Sequence, residues 1–315
     1  MEKQRDTYVD IAKGIAILLV VRIHTEVFAV LPAPYPIVAV PLFFFLSGFY
    51  DNTNKPLKMW LPKTFRSIVV TGIIWVVISE LYLFVLCCVK NGVFSIEYLR
   101  QPSPGVMWFL FALFYAKCGM WLIHRSKLPK WATITLLIVI GGLIPYANLP
   151  LLIGEGFTAL PFYYMGSVLY PWISNNLNRL RGGALLAILG FACLLLMPLS
   201  WFPDVLVPYS SNRPILMYPV CISMTVLSFF PFLYIGNKIR HQTWLANYGR
   251  HTLGILVIHP LMLHTVAITL NRLFIKGSTL WISLFLLAFI VVCALSYYCS
   301  VWISYRIPYL LGKTK

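Results

Sequence analysis

The sequence predicts an all-α membrane protein with about ten transmembrane helices and both termini in the cytoplasm. Three observations carry this reading. Hydrophobic residues make up 60% of the 315 positions and charged residues only 11%, with a mean hydropathy of +0.81; an ordinary soluble domain has ~25% charged residues. The apolar stretches are long and lack the period-two alternation of barrel strands, so the spanning elements are helices. The cations also sort to one side. Among the 25 lysines and arginines, Lys90, Arg100, Arg213, Arg272 and Lys276 fall outside, Lys13, Arg22 and Lys117 lie within spans, and all the rest fall inside. That is the bias that orients membrane proteins.

The spans run roughly over 8–30, 36–51, 66–89, 105–123, 131–147, 157–174, 183–202, 214–236, 248–270 and 279–305. Residues 1–315 read as a single membrane domain. The formal charge of +16 does not point to nucleic acid, because the cations flank hydrophobic spans. They suit membrane orientation and an anionic small molecule. A cleavable leader is not expected: Glu2, Lys3, Arg5, Asp6 and Asp10 precede or open the first apolar run, and no small-residue cleavage site follows it. The seven cysteines lie in or beside apolar runs without ligand spacing and read as packing residues.

The first span, in DIAKGIAILLVVRIHTEVF, carries the most informative pair, Lys13 and His24. Eleven steps at ~100° close about three turns, so both fall on one helical face, roughly 16 Å apart along the axis. Asp10 lies one turn before Lys13 and can pair with it. Ionisable groups inside a bilayer are costly and mark function by default. The structural alternatives are an interfacial, snorkelling Lys13 and a buried, hydrogen-bonded His24. Arg22 and Glu26 form a second i,i+4 pair on nearly the opposite face, which neutralises two expensive charges.

The second span, in PLFFFLSGFYDN, is short and ends in Ser47-Gly48. A small pair there favours close backbone approach over a catalytic serine, since no nucleophile-elbow pattern surrounds it. Lys63 and Arg66 enter the third span at i,i+3, after a loop bearing Lys55 and Lys58. They satisfy either the positive-inside rule or a phosphate clamp. Glu80, deeper in that span, is a lone carboxylate that should face a cavity or a partner. The ninth span brings His251, His259 and His264, whose spacing without an acidic ligand gives only a weak metal signal. His259 is expected to be structural or to shape a cavity.

These segments together resemble the acyltransferase-3 family of membrane acyltransferases over nearly the whole chain. YVDIAKGIAILLVVRIH is similar to its basic-residue and histidine motif, PLFFFLSGFY to its second-span signature, MWFLFALF (107–114) to its Trp-containing fourth span, and NYGRHTLGILVIHP to its glycine-and-histidine late span. The resemblance implies ten helices and transfer of an acyl group, acetyl or similarly short, from cytoplasmic acyl-CoA to a hydroxyl of a saccharide or lipid-linked envelope glycan. Acetyl-CoA is then the donor, with no metal and no nucleic acid involved. The protein would be multi-pass in a bacterial inner membrane, among membrane lipids.

Carried over by residue, His24 matches the essential histidine, acting as general base or acyl carrier, and Lys13 its basic partner. Lys63 and Arg66 match a basic pair that, with Lys13, would hold the donor phosphates. Glu80, Trp108 and His259 are candidates for the acceptor side. Tyr163 and Trp201 offer further aromatic surfaces, although aromatics in spans more often pack or anchor. Two departures stand out: lysine replaces the usual arginine at 13, and no acid follows Trp108. A transporter of a small polar solute is the competing class, since its path would also be lined by intramembrane charges.

Overall fold

The computed structural model describes residues 6–27, 38–95, 105–143, 149–176, 180–196 and 218–313. Among them every regular element is helical. In chain order these are α1 (Thr7–Ile23), α2 (Ala39–Gly48), α3 (Leu57–Asn91), α4 (Trp108–Arg125), α5 (Lys130–Leu143) and α6 (Ile153–Asn176). They continue with α7 (Leu180–Leu196), α8 (Tyr218–Leu227), α9 (Phe230–Lys238), α10 (Thr243–Arg250), α11 (Thr252–Leu273) and α12 (Thr279–Arg306). Four are long and apolar enough to cross a membrane: α3, α4 with its leading turn from Gly105, α11 and α12. Shorter apolar helices accompany them. On α3, Ile73, Val77, Leu81, Val85 and Val89 are all exposed. A four-residue repeat of exposed aliphatics is a lipid-facing stripe rather than a surface suited to water.

The described residues fall into two compact groups. The first takes its parts from 1–19, 34–61 and 111–250. Its densest packing sets α2 against α6, around the fully buried rings of Phe45, Phe162 and Phe229. A methyl on Gly48 would lie 2.1 Å from the Tyr163 carbonyl oxygen, and one on Gly166 1.9 Å from that of Phe45. The backbones touch at both points, as the Ser47-Gly48 pair predicts. The Ser47 hydroxyl donates to the Phe43 carbonyl at 2.7 Å, so it supports the helix.

The second group comes from 20–33, 62–110 and 251–315. Here α11 packs along α12, with Gly254 against the Ser300 side chain. Val27, Trp281 and Phe285 form a buried cluster at one end. Residues 308–312, after α12, return onto α3. Trp75 Nε1 donates to the Leu310 carbonyl at 2.7 Å, and Gly312 (φ 67°) lies against the Ser67 carbonyl.

Several expected boundaries move, each for a local reason. The first helix ends at Ile23, so His24 sits in a turn rather than inside a helix to residue 30. His24 Nδ1 donates to the Val20 carbonyl at 2.8 Å and Thr25 Oγ1 to that of Val21 at 2.9 Å. These side chains take up carbonyls that the following turn would otherwise use. The segment expected as a loop before the third span is helical from Leu57, through Pro62, and passes into a π-helical stretch at Phe65–Val70. At 35 residues, α3 is about 52 Å long, well beyond the ~30 Å hydrocarbon core. That excess leaves room for the first turns, with Lys58 and Lys63, to lie outside that core, where the charge bias expects them. The eighth span divides ahead of Pro231 into α8 and α9, and the ninth divides at His251 into α10 and α11.

Side-chain contacts group the helix ends as the charge bias does. In the first group, Arg125 donates to the carbonyls of Thr53 (3.3 Å) and Lys55 (2.7 Å), and Tyr170 to Asp6 (2.6 Å). All are segments assigned to the inner edge. In the second group, Arg272 donates to the Lys90 carbonyl at 3.3 Å, and Glu26 takes Lys276 at 3.7 Å and Asn271 at 3.0 Å. All of these are segments assigned to the outer edge.

Candidate functional site

Site residues occur in each compact group. In the second, α11 presents His259 to His24, with ring centroids 5.2 Å apart and planes at 72°. Helix α11 holds His259 through Nδ1, which donates to the Ile255 carbonyl at 2.9 Å, four residues back. The bond at His24, to Val20, has the same form. A carbonyl oxygen only accepts, so Nδ1 carries the proton in each neutral ring and Nε2 bears the lone pair. His24 is exposed, whereas His259 is fully buried and its Nε2 has no hydrogen-bond partner among the described residues. A basic nitrogen with a fixed tautomer and an open side is the arrangement general-base chemistry needs.

The other expected residues of that group are more dispersed. Lys63 and Arg66 are both exposed at the start of α3, and the step between them crosses from α into π geometry. The i,i+3 step expected to put them on one face therefore runs across that change of geometry. Single-turn departures of this kind cluster at functional sites. Glu80 is half-buried on α3. Trp108 opens α4, its ring edge-on to Phe109. His264 is exposed further along α11, and His251 faces Ser300 Oγ at 3.3 Å.

In the first group, Lys13 sits on α1 with its ammonium 5.4 Å from the centre of the Tyr50 ring. Asp10, buried beside it in sequence, accepts from Arg250 Nε at 3.1 Å. Asp10 thus ties α1 to the end of α10, a partner that sequence spacing did not suggest.

A further cluster in this group has no counterpart in the sequence reading. Lys117 Nζ donates to the Tyr163 hydroxyl at 3.0 Å, and that hydroxyl donates to Asp51 Oδ1 at 2.9 Å. Asp51 Oδ2 accepts from His124 Nε2 at 2.8 Å and from the Thr53 hydroxyl at 3.1 Å. Burial alone would push the Asp51 carboxyl up. The hydrogen bonds from His124, Tyr163 and Thr53 outweigh it and hold the group below the ordinary carboxylate range. Tyr163 is fully buried and committed to this chain, so it offers no sugar-stacking face. Trp201 lies outside the described residues. The available signal was Lys117 itself, a lysine in mid-span without a nearby acid in sequence.

The acyltransferase domain model of the acyltransferase-3 type matches residues 6–302. The chain belongs to the acyltransferase-3 family. Neither a curated protein nor a solved structure gives a match. In this family member the matched region runs from the start of α1 almost to the end of α12, so every site residue named above lies within it.

Proposed function

We propose that this acyltransferase moves an acetyl or similarly short acyl group from cytoplasmic acyl-CoA to a hydroxyl of a saccharide or envelope glycan intermediate. It would do so within a ten-span inner-membrane domain whose termini are cytoplasmic. The observation that carries the reading is His24. Its Nδ1–H is given to the Val20 carbonyl, and its exposed ring keeps the Nε2 lone pair for a proton. As Nε2 takes the hydroxyl proton, the oxygen attacks the thioester carbonyl and a C–O bond forms. The C–S bond then breaks and sulfur leaves with the electron pair. Returning the proton to that thiolate closes the balance as ester and free CoA.

The donor is polyanionic and stays on the aqueous side. Lys63 and Arg66, both exposed, are suited to its phosphates, Arg66 bidentately and Lys63 as a point charge. Lys13, held over Tyr50, adds a cation on α1. Asp10, through Arg250, fixes the helix that bears it. Glu80, Trp108 and His259 are assigned to the acceptor side, His259 through His24 rather than by touching the acceptor because its ring is fully buried, and the acceptor meets the thioester as a hydroxyl without a metal.

The direct test is release of free CoA from labelled acetyl-CoA by purified protein, with wild type beside His24→Ala. General-base contributions run to about 10²–10⁴-fold, so His24→Ala should lose at least ~100-fold while remaining folded. An active His24→Ala overturns the assignment. Silence from wild type even with added glycans and longer donors, and no bound acyl-CoA, moves the reading to a transporter.

A further inference from the structure

Burying an acceptor without a donor is unfavourable, and native proteins rarely leave one so. His259 Nε2 is such an atom. Its Nδ1–H is spent on Ile255, so the ring cannot turn its donor towards Nε2's surroundings without breaking a 2.9 Å bond. The neighbouring polar ring is His24, at 5.2 Å between centroids and steeply tilted. In its neutral form His24 brings a second lone pair at Nε2 and has nothing to donate there. Once His24 takes a proton, that same nitrogen becomes a charged donor on a ring centred 5.2 Å from the one that bears the buried, unengaged acceptor.

We infer that His259 is a positioning residue for the transfer step: its buried Nε2 accepts the Nε2 proton of the His24 imidazolium and so stabilises the charge that the base acquires. The inference rests on His24 being the base proposed above. The proton passes from the acceptor hydroxyl to His24 Nε2 as the C–O bond forms, is shared with His259 Nε2, and goes to the leaving thiolate as the C–S bond breaks. The pair also discriminates between the two mechanisms open at His24. An acyl group on Nε2 would leave no proton to offer His259, so the arrangement serves a base and not an acyl carrier.

Other charges near His24 are Arg22 and Glu26 on its own segment and His264 from α11, with Lys276 and Asn271 engaging Glu26. None changes in the variants below. The experiment follows imidazole nitrogen shifts by ¹⁵N NMR across pH in the full-length protein in detergent, with assignments from His24→Gln and His259→Gln. In wild type both neutral rings should be Nδ1–H tautomers, and His259 Nε2 should move in the same step in which His24 gains its proton.

His259→Leu should weaken His24's proton affinity about tenfold, one unit in midpoint, and His259→Gln, which keeps a carbonyl acceptor, should restore most of it. The acid limb of the CoA-release profile should follow, moving about one unit lower in His259→Leu with a lower kcat and an unchanged KM for acetyl-CoA. An Nε2–H tautomer at either ring, or a His259 Nε2 that does not respond when His24 titrates, overturns the inference. So does an unmoved midpoint in folded His259→Leu. The titration needs no turnover, so a failed acyltransfer assay would count against the proposed function and leave this test intact.

Discussion

A lysine inside an apolar helix needs an opposite charge, and Lys117 reaches Asp51 only through the Tyr163 hydroxyl. Removing the carboxylate leaves a cation without compensation, which is worse than removing both charges. Asp51→Asn should therefore cost about 1.5–3 kcal/mol, and adding Lys117→Met should recover much of it, both read by thermal unfolding in detergent. Because the folded carboxyl is held low, its contribution is present above the ordinary carboxylate range and is lost as the pH falls below that range, through the lowered folded value. The gap between wild type and Asp51→Asn should be wide above about pH 5 and narrow progressively as the pH falls below about 4. His24 and Lys13 could be singled out from sequence as candidates because intramembrane charge is rare. Asp51, His124 and Tyr163 were not, since their meeting depends on contacts across 73 and 112 positions.

The helices themselves were largely readable, because runs of apolar residues long enough to span can do little else in a bilayer. Their ends were less so. The early stop of α1 comes from His24 and Thr25 capturing carbonyls, and the division of α8 from α9 falls just ahead of Pro231. No residue pattern announces the π stretch at Phe65–Val70. The Gly48 and Gly166 contacts mark where α2 and α6 cannot separate, since the obstructing atoms are backbone rather than side chain. Gly166→Ala should destabilise by about 1–3 kcal/mol, and Gly48→Ala similarly, seen as lower thermal midpoints. A neutral Gly166→Ala would mean that the helices do not cross there.

At the scale of the chain, the charge bias is the most economical guide, because it ranks alternatives without any contact being known. The pairings at helix ends, Arg125 with the 53–55 turn and Arg272 with Lys90, bring together segments that the bias had placed on common sides. A fluorescent protein that matures only in the cytoplasm, fused after residue 315, should therefore glow. Alkaline phosphatase inserted at 92–95 should be active, since it would lie outside. A dark fusion with an active phosphatase at 315 would invert the whole arrangement.

The docking of residues 308–312 onto α3 sets an order of events during synthesis. Trp75 and its acceptor Leu310 are 235 positions apart. At ~5–20 residues per second, a ribosome needs roughly ten to fifty seconds to supply the second after the first. For that interval the Phe65–Val70 stretch, with Arg66 on it, is already made but unbraced. Translation leaves the basic π-helical stretch to be completed by residues made 235 positions after Trp75.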